Sequence, residues 1–255
     1  MYKLCCDNDI IINNKKEKKM KNFKKILSFA LVICLMVPAM ILLTACQSNI
    51  AEVSSFEELT QALEGDSSVI KLTADIDVPT NAVVARKVTL DLNGNKLYNT
   101  NDIWDDSEGV KVWSIISVVE NGDLTITGNG EINSKENDCF AVDVRDGGKL
   151  VIENGTFVGN CHAIYVFKGE ATINGGHYSI LQTFSASQPY QFVLNLYDAN
   201  RRDGTATLTV TGGEFEKFDP ANCEAEGKGT NFVADGYVSE IIDGTEDTYR
   251  VVKAN

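Results

Sequence analysis

Five short segments of this 255-residue chain share one pattern, and a recurring pattern restricts the fold more tightly than composition does. Each segment sets apolar residues at alternate positions, closes on Gly or Asn, and is followed by one more apolar residue. The first three are Leu90-Asp91-Leu92-Asn93-Gly94 with Leu97, Leu124-Thr125-Ile126-Thr127-Gly128 with Ile132, and Leu150-Val151-Ile152-Glu153-Asn154-Gly155 with Phe157. The last two are Ala171-Thr172-Ile173-Asn174-Gly175-Gly176 with Tyr178 and Leu208-Thr209-Val210-Thr211-Gly212-Gly213 with Phe215. A period of two is that of a half-buried strand. A second strand precedes four of the five, at 116–118, 141–144, 163–166 and 193–196. The shortest spacings, Ile126 to Ile152 and Ile152 to Ile173, are 26 and 21 residues. Two or three short strands in that length suit one coil of a parallel solenoid, whose coils stack at roughly 4.8 Å and bury a core only as a stack. A sandwich of antiparallel hairpins is the alternative, and the near-identical corner spacing speaks against it.

The wording of these repeats resembles the right-handed parallel β-helix of the pectate-lyase-like superfamily, in its uncharacterised secreted bacterial members. Thr89-Leu90-Asp91-Leu92-Asn93-Gly94, Leu150-Val151-Ile152-Glu153-Asn154-Gly155-Thr156-Phe157 and Thr211-Gly212-Gly213-Glu214-Phe215 carry the resemblance, which covers about 68–240. It implies an all-β, single-stranded right-handed parallel β-helix of about six coils. It implies no activity, because these motifs are the ones that stack coils. Glycines suit corners that need positive φ, and corner asparagines can stack in ladders between coils.

The ends read as caps. Ser55-Phe56-Glu57-Glu58 is a capping box, and Phe56, Leu59 and Leu63 fall on one face of a helix over 55–64 that would plug the first coil. Solenoids need such plugs, because an open strand edge recruits other chains. At the far end, 231–237 and 249–252 read as two strands of a closing hairpin with its turn at Asp243-Gly244.

The first 45 residues are a different material. They hold eight Lys and three acids, whereas 46–255 hold fifteen Lys and Arg against thirty-three acids and all twenty glycines. Lys24 and Lys25 precede an uncharged run from Ile26 to Ala45 that ends in Leu43-Thr44-Ala45-Cys46. A basic start, an apolar run and small residues before a cut site describe a secretory signal. An uncleaved membrane anchor is the competing reading, since the run is about the length of a minimal span. Leu43-Thr44-Ala45-Cys46 resembles the lipobox of bacterial lipoproteins, which implies cleavage before Cys46 and a lipid on it. Met20 makes a better start than Met1, because signal peptides begin close to their basic residues. The expected order is thus a leader at 1–45, a lipid-anchored tether at 46–54 and a β-helix domain at 55–255, exported and held at the cell membrane.

Chain length within the repeats is spent unevenly. The connections 98–114, 179–191 and 216–230 are long and occupy one topological position, while 133–140 and 158–162 at that position are short. Loops on one edge of a rigid scaffold are where binding sites are usually built. Tyr98, Trp104, Asp105, Asp106 and Trp113 on the first loop, with Phe184 and Tyr190 on the second, combine aromatic faces with polar groups. That mixture suits sugar rings. The plainer reading is that Trp104 and Trp113 fold their loop onto the solenoid wall. Asp102, Asp105, Asp106 and Glu108 are oxygen-rich enough for Ca²⁺, but their spacing matches no EF-hand, so a solvated acidic loop is the simpler account.

Catalysis and other partners find less support. Depolymerising β-helices use paired carboxylates, or Ca²⁺ with a basic residue. The hydrolase pattern pairs Asp-Asp with Gly-His-Gly and Arg-x-Lys. Asp105-Asp106 is present and the other two motifs are absent. Asp143-x-Arg145 is the best remaining charged pair, and a salt bridge explains it equally well. The acidic balance opposes nucleic acid and polyuronates alike. Cys139 and Cys161 occupy equivalent positions, placing them either as a disulfide or as stacked thiols, and no Cys or His spacing supports zinc. The expected function is a lipid-anchored surface adhesion protein that binds carbohydrate without turnover. A polysaccharide lyase or hydrolase on the same edge, and a structural or host-contact protein, are the alternatives.

Overall fold

Alternation of apolar and polar residues, interrupted at short intervals by Gly and Asn, produces strands of two to six residues with corners between them. The computed structural model describes residues 49–255 apart from 136–138, 183–190 and 228. The leader and Cys46 lie outside the described residues. In chain order the elements begin with β1 (Ile50–Val53), helix α1 (Phe56–Glu64), β2 (Val69–Leu72), β3 (Ile76–Asp77), β4 (Ala82–Val84), β5 (Lys87–Asp91) and β6 (Lys96–Tyr98). They continue with β7 (Ser114–Val118), β8 (Asp123–Thr127), β9 (Glu131–Asn133), β10 (Phe140–Val144), β11 (Gly148–Ile152) and β12 (Thr156–Gly159). Next come β13 (Ile164–Val166), β14 (Gly169–Ile173), β15 (His177–Ile180), β16 (Leu194–Leu196) and helix α2 (Asp198–Asp203). The last are β17 (Ala206–Val210), β18 (Glu214–Glu216), β19 (Tyr237–Ile241) and β20 (Thr248–Lys253).

These strands form three sheets. The first runs β1-β2-β5-β8-β11-β14-β17, the second β19-β20-β18-β15-β12-β9-β6-β3, and the third β16-β13-β10-β7-β4. From β4 to β18 the chain visits the third, first and second sheets in that order, five times over. Every pairing is parallel except those of β20 with β18 and β19. The protein is therefore all-β and built on parallel sheets. A third-sheet strand precedes all five repeats, including β4 ahead of the first, which the sequence reading had passed over. One alignment is corrected by the register. Val88, not Leu90, pairs with Leu124, and Leu90 pairs with Ile126, because the first repeat turns its corner later at Asn93-Gly94.

Parallel register stacks like on like. Ile70, Leu90, Ile126, Ile152, Ile173 and Val210 form one buried column in the first sheet. In the second sheet the column ends in rings: Phe157 and Tyr178 lie 5.1 Å apart at 9°, Tyr178 and Phe215 4.9 Å apart at 11°. The Tyr178 hydroxyl donates to the Gly175 carbonyl at 2.7 Å, so its polar tip is not left bare in the core. At Gly176, with φ of +98°, a Cβ would come within 2.9 Å of the Gly155 carbonyl, and only glycine lets the rounds close up here. The corner asparagines join successive rounds: Asn154 donates to Asn129 at 2.8 Å and Asn174 to Glu153 at 3.0 Å.

Both ends are closed. Helix α1 buries Leu59, Ala62 and Leu63 and packs on β1, β2 and β4. Its Ser55 cap accepts from the Glu58 amide, while the Glu58 carboxylate reaches back to accept from the Ser54 amide and hydroxyl. Strand β1 lies inside the stretch expected as tether and pairs with β2. At the other end the segment after β18 turns inward. Phe218, Cys223 and Phe232 are buried in the core, and Glu226 accepts from the Leu196 amide at 2.6 Å on the edge of β16. Arg201 of α2 holds that carboxylate at 2.9 Å. The loop expected as a third part of the binding edge is therefore an end plug. The physical reason is that no further round follows to cover the last one. The closing hairpin is present as β19 and β20, and it begins at Tyr237 rather than Asn231.

Candidate functional site

The third sheet turns Val142, Val144 and their partners inward, so alternation turns Ser117, Asp143, Tyr165 and Asn195 outward in one row across four rounds. Outward residues of a sheet normally meet water. Here Ser117 and Asp143 are fully buried, and the connection 99–113 is tied to them through Arg145, which lies beside Asp143 and donates to the Lys111 carbonyl. That connection is braced by paired backbone bonds of 2.9 Å between Asp105 and Val112, and it returns to the sheet at Trp113.

Beneath it lies a buried polar cluster. Asp143 accepts from the Ser114 and Ser117 hydroxyls, and Asn81 donates to Ser117 at 3.0 Å. The Arg145 Nε sits 3.8 Å from Asp143 Oδ2, which has no hydrogen-bond partner among the described residues. Burial raises the Asp143 pKa above the ordinary carboxylate range, against the opposing pull of Arg145 and the two serines. Arg145 also lies 5.3 Å from the centre of the Trp113 ring and donates to the Lys111 carbonyl at 2.5 Å. Asp143-x-Arg145 is thus a bolt between sheet and loop.

The other half of the row is open. Trp104, Asp106, Trp113, Phe140, His162, Tyr165, Phe167 and Asn195 line a cavity of about 280 Å³. Its rings brace one another edge to face: Trp104 on Phe140 at 5.3 Å, Trp113 on Phe167 at 5.6 Å and on Tyr165 at 6.3 Å. Trp104 is 45% exposed, so much of its ring remains available to a ligand. The Trp113 Nε1–H donates to Asp106 at 2.9 Å, which fixes both side chains on the cavity wall. Burial pushes the Tyr165 hydroxyl up to about 12, and it keeps its proton near neutrality.

His162 is placed by a turn that tolerates only glycine at 159, where a Cβ would lie 1.6 Å from the His162 carbonyl oxygen. Its Nδ1 is 3.0 Å from the Phe192 carbonyl and its Nε2 3.1 Å from the Asn195 amide nitrogen. Burial pushes its pKa down to about 4, so the ring is neutral at physiological pH. Cys161 beside it is pushed up to about 11 by burial, which makes it a poor nucleophile. Among the described residues Cys139 and Cys161 are not joined in a disulfide.

Comparison of the chain with protein-family models, curated proteins and solved structures gave no match.

The structure brings together Trp104, Asp106 and Trp113 from the expected site and adds rings from the sheet itself. Tyr98 lies elsewhere, in a cavity of about 390 Å³ with Asp75, Lys96, Asn99, Asn133 and Lys135. Asp105 accepts from the Ser107 amide at 2.9 Å, hydrogen bonds from the Ser107 hydroxyl and then its amide lower its pKa, and Asp102 pairs with Lys135 at 2.6 Å. Among the described residues no three His, Cys, Asp or Glu side chains gather as a metal cluster. Phe184 and Tyr190 lie outside the described residues. Phe140, His162, Tyr165, Phe167 and Asn195 were missed. Tyr165 and Asn195 carried a signal, as polar interruptions between apolar neighbours on equivalent strands.

Proposed function

We propose that this chain is an exported surface protein, lipid-anchored through Cys46, that binds carbohydrate on the third sheet without turning it over. The proposal includes a single right-handed parallel β-helix of the pectate-lyase-like superfamily as the scaffold. The cyclic order of strands through three parallel sheets supports that finer description. Three residues would separate the lipid on Cys46 from strand β1, holding the domain close to its membrane.

One observation carries the binding reading: a ring-lined cavity with two polar groups fixed in its wall, Asp106 by Trp113 and Asn195 by His162. Sugar faces stack on aromatic rings while their hydroxyls need hydrogen-bond partners. The carboxyl beside the cavity, Asp143, is fully buried and paired with Arg145, an arrangement suited to structure rather than to proton transfer.

The test uses the full-length protein in mild detergent, incubated with plant, host and bacterial polysaccharides with and without Ca²⁺. Polymer mass is followed by chromatography with light scattering. Co-elution of a polymer with the protein at unchanged mass is expected. A fall in mass would replace this reading with a depolymerase, and absence of both would leave a protein-contact role in its place. Labelling with radioactive palmitate, lost on Cys46→Ser, checks the anchor.

A further inference from the structure

We infer that Asn195 sets the specificity of this cavity, and that the ligand is a neutral sugar placing a hydroxyl donor against its side-chain oxygen. This deepens the carbohydrate reading and rests on it.

The argument is one of hydrogen bookkeeping. The Phe192 carbonyl can only accept, so the hydrogen in the 3.0 Å contact belongs to His162 Nδ1. A neutral imidazole has one hydrogen, and its Nε2 is therefore bare. The 3.1 Å contact at Nε2 must then be filled by an N–H of Asn195. Chemistry alone fixes which way the amide faces, with its NH₂ on the histidine and its Oδ1 turned away. Among the described residues nothing donates to that oxygen, and Asn195 lines the cavity. The second polar group on the wall, Asp106, is also an acceptor, with one oxygen taken by Trp113.

A cavity of rings with two acceptors asks its ligand for donors. A sugar hydroxyl supplies them. A uronate carboxylate would meet the Asp106 charge and offer nothing to Asn195. Lys111 and Arg145, cations near these rings, are engaged on ring faces at 5.9 and 5.3 Å and do not line the cavity. His162 is a positioning residue here, acting through Asn195.

The test is calorimetry of the full-length protein with gluco-, manno- and xylo-oligosaccharides, and with oligogalacturonate as the acidic arm. Binding of a neutral oligosaccharide is expected, lost on Trp104→Ala and weakened about tenfold or more on Asn195→Leu, the scale of one lost hydrogen bond. A permethylated form of that oligosaccharide keeps its ring faces and loses its donors, so the wild-type protein should bind it about tenfold more weakly. This arm needs no variant to fold. Nitrogen-15 spectra should show His162 as the Nδ1–H tautomer, with the Nε2 signal moving on Asn195→Leu. Preference for oligogalacturonate, equal affinity for the permethylated sugar, or full affinity in Asn195→Leu would overturn this inference and leave carbohydrate binding standing. No binding of any oligosaccharide by the wild type would overturn both.

Discussion

The connections 99–113 and 217–236 start from the same place, after a second-sheet strand, and end in opposite roles. The first leads on to another round, so the core beside it is already covered. Its aromatic residues lie over the outside of the third sheet and leave Trp104 partly exposed. The second follows the last full round, where the core would otherwise meet water. It turns Phe218 and Phe232 inward and sets Glu226 against the free edge of β16. The same kind of insertion becomes a binding surface or a plug according to whether another round follows it.

That contrast can be broken most directly at Phe232. Phe232→Ala should cost about 3–5 kcal/mol in denaturant unfolding, the usual loss for a buried ring. A cost below about 1 kcal/mol would show that 217–236 is not core. Next in size is the pH response of the other loop's neighbour, His162. Its pKa is lowered from 6.5 to about 4, so the unfolded chain takes up a proton first as the pH falls. Stability from this group is complete above 6.5 and is lost on going down to about 4, up to about 3 kcal/mol. His162→Gln should flatten the stability curve over that window, and an unchanged slope would refute the assignment.

Glu226→Ala should cost about 2 kcal/mol, because it strands the Leu196 amide and Arg201 on the plugged edge. Burial raises the Glu226 pKa, so this group's protonated form favours the fold. Its contribution is fullest below the ordinary carboxylate pKa and falls as the pH rises through the raised value. Glu226→Gln should remove that dependence while keeping an acceptor. The smallest stability effect belongs to Trp104→Ala, within about 0.5 kcal/mol, as for a surface substitution. Its effect on glycan retention should be large. A variant that unfolds instead would show that Trp104 serves packing, the plainer reading of that residue.

Much of the fold could be read before any coordinates. The alternating phrases closed by Gly and Asn located the first-sheet strands, and the capping box located α1. The first phrase was placed two residues out of register because Leu90-Asp91-Leu92 alternates equally well in either frame. The site was legible in part. Trp104 and Trp113 stood out as loop aromatics, whereas Phe140, Tyr165 and Asn195 read as ordinary strand residues in three different rounds. Tyr98 was grouped with the tryptophans by closeness in sequence, and the turn of the chain into the next sheet separates them.

By itself the sequence determined period, corner chemistry and which residues face inward, since these depend on neighbours two to five positions away. Only the tertiary structure decided which rings share a cavity and which loop closes an end. Those outcomes depend on stacking rounds 20 to 37 residues apart in the chain, as in the pairs Ile70–Leu90 and Ile173–Val210. At such separations proximity is created by folding, because the hydrophobic core is completed only when successive rounds cover one another.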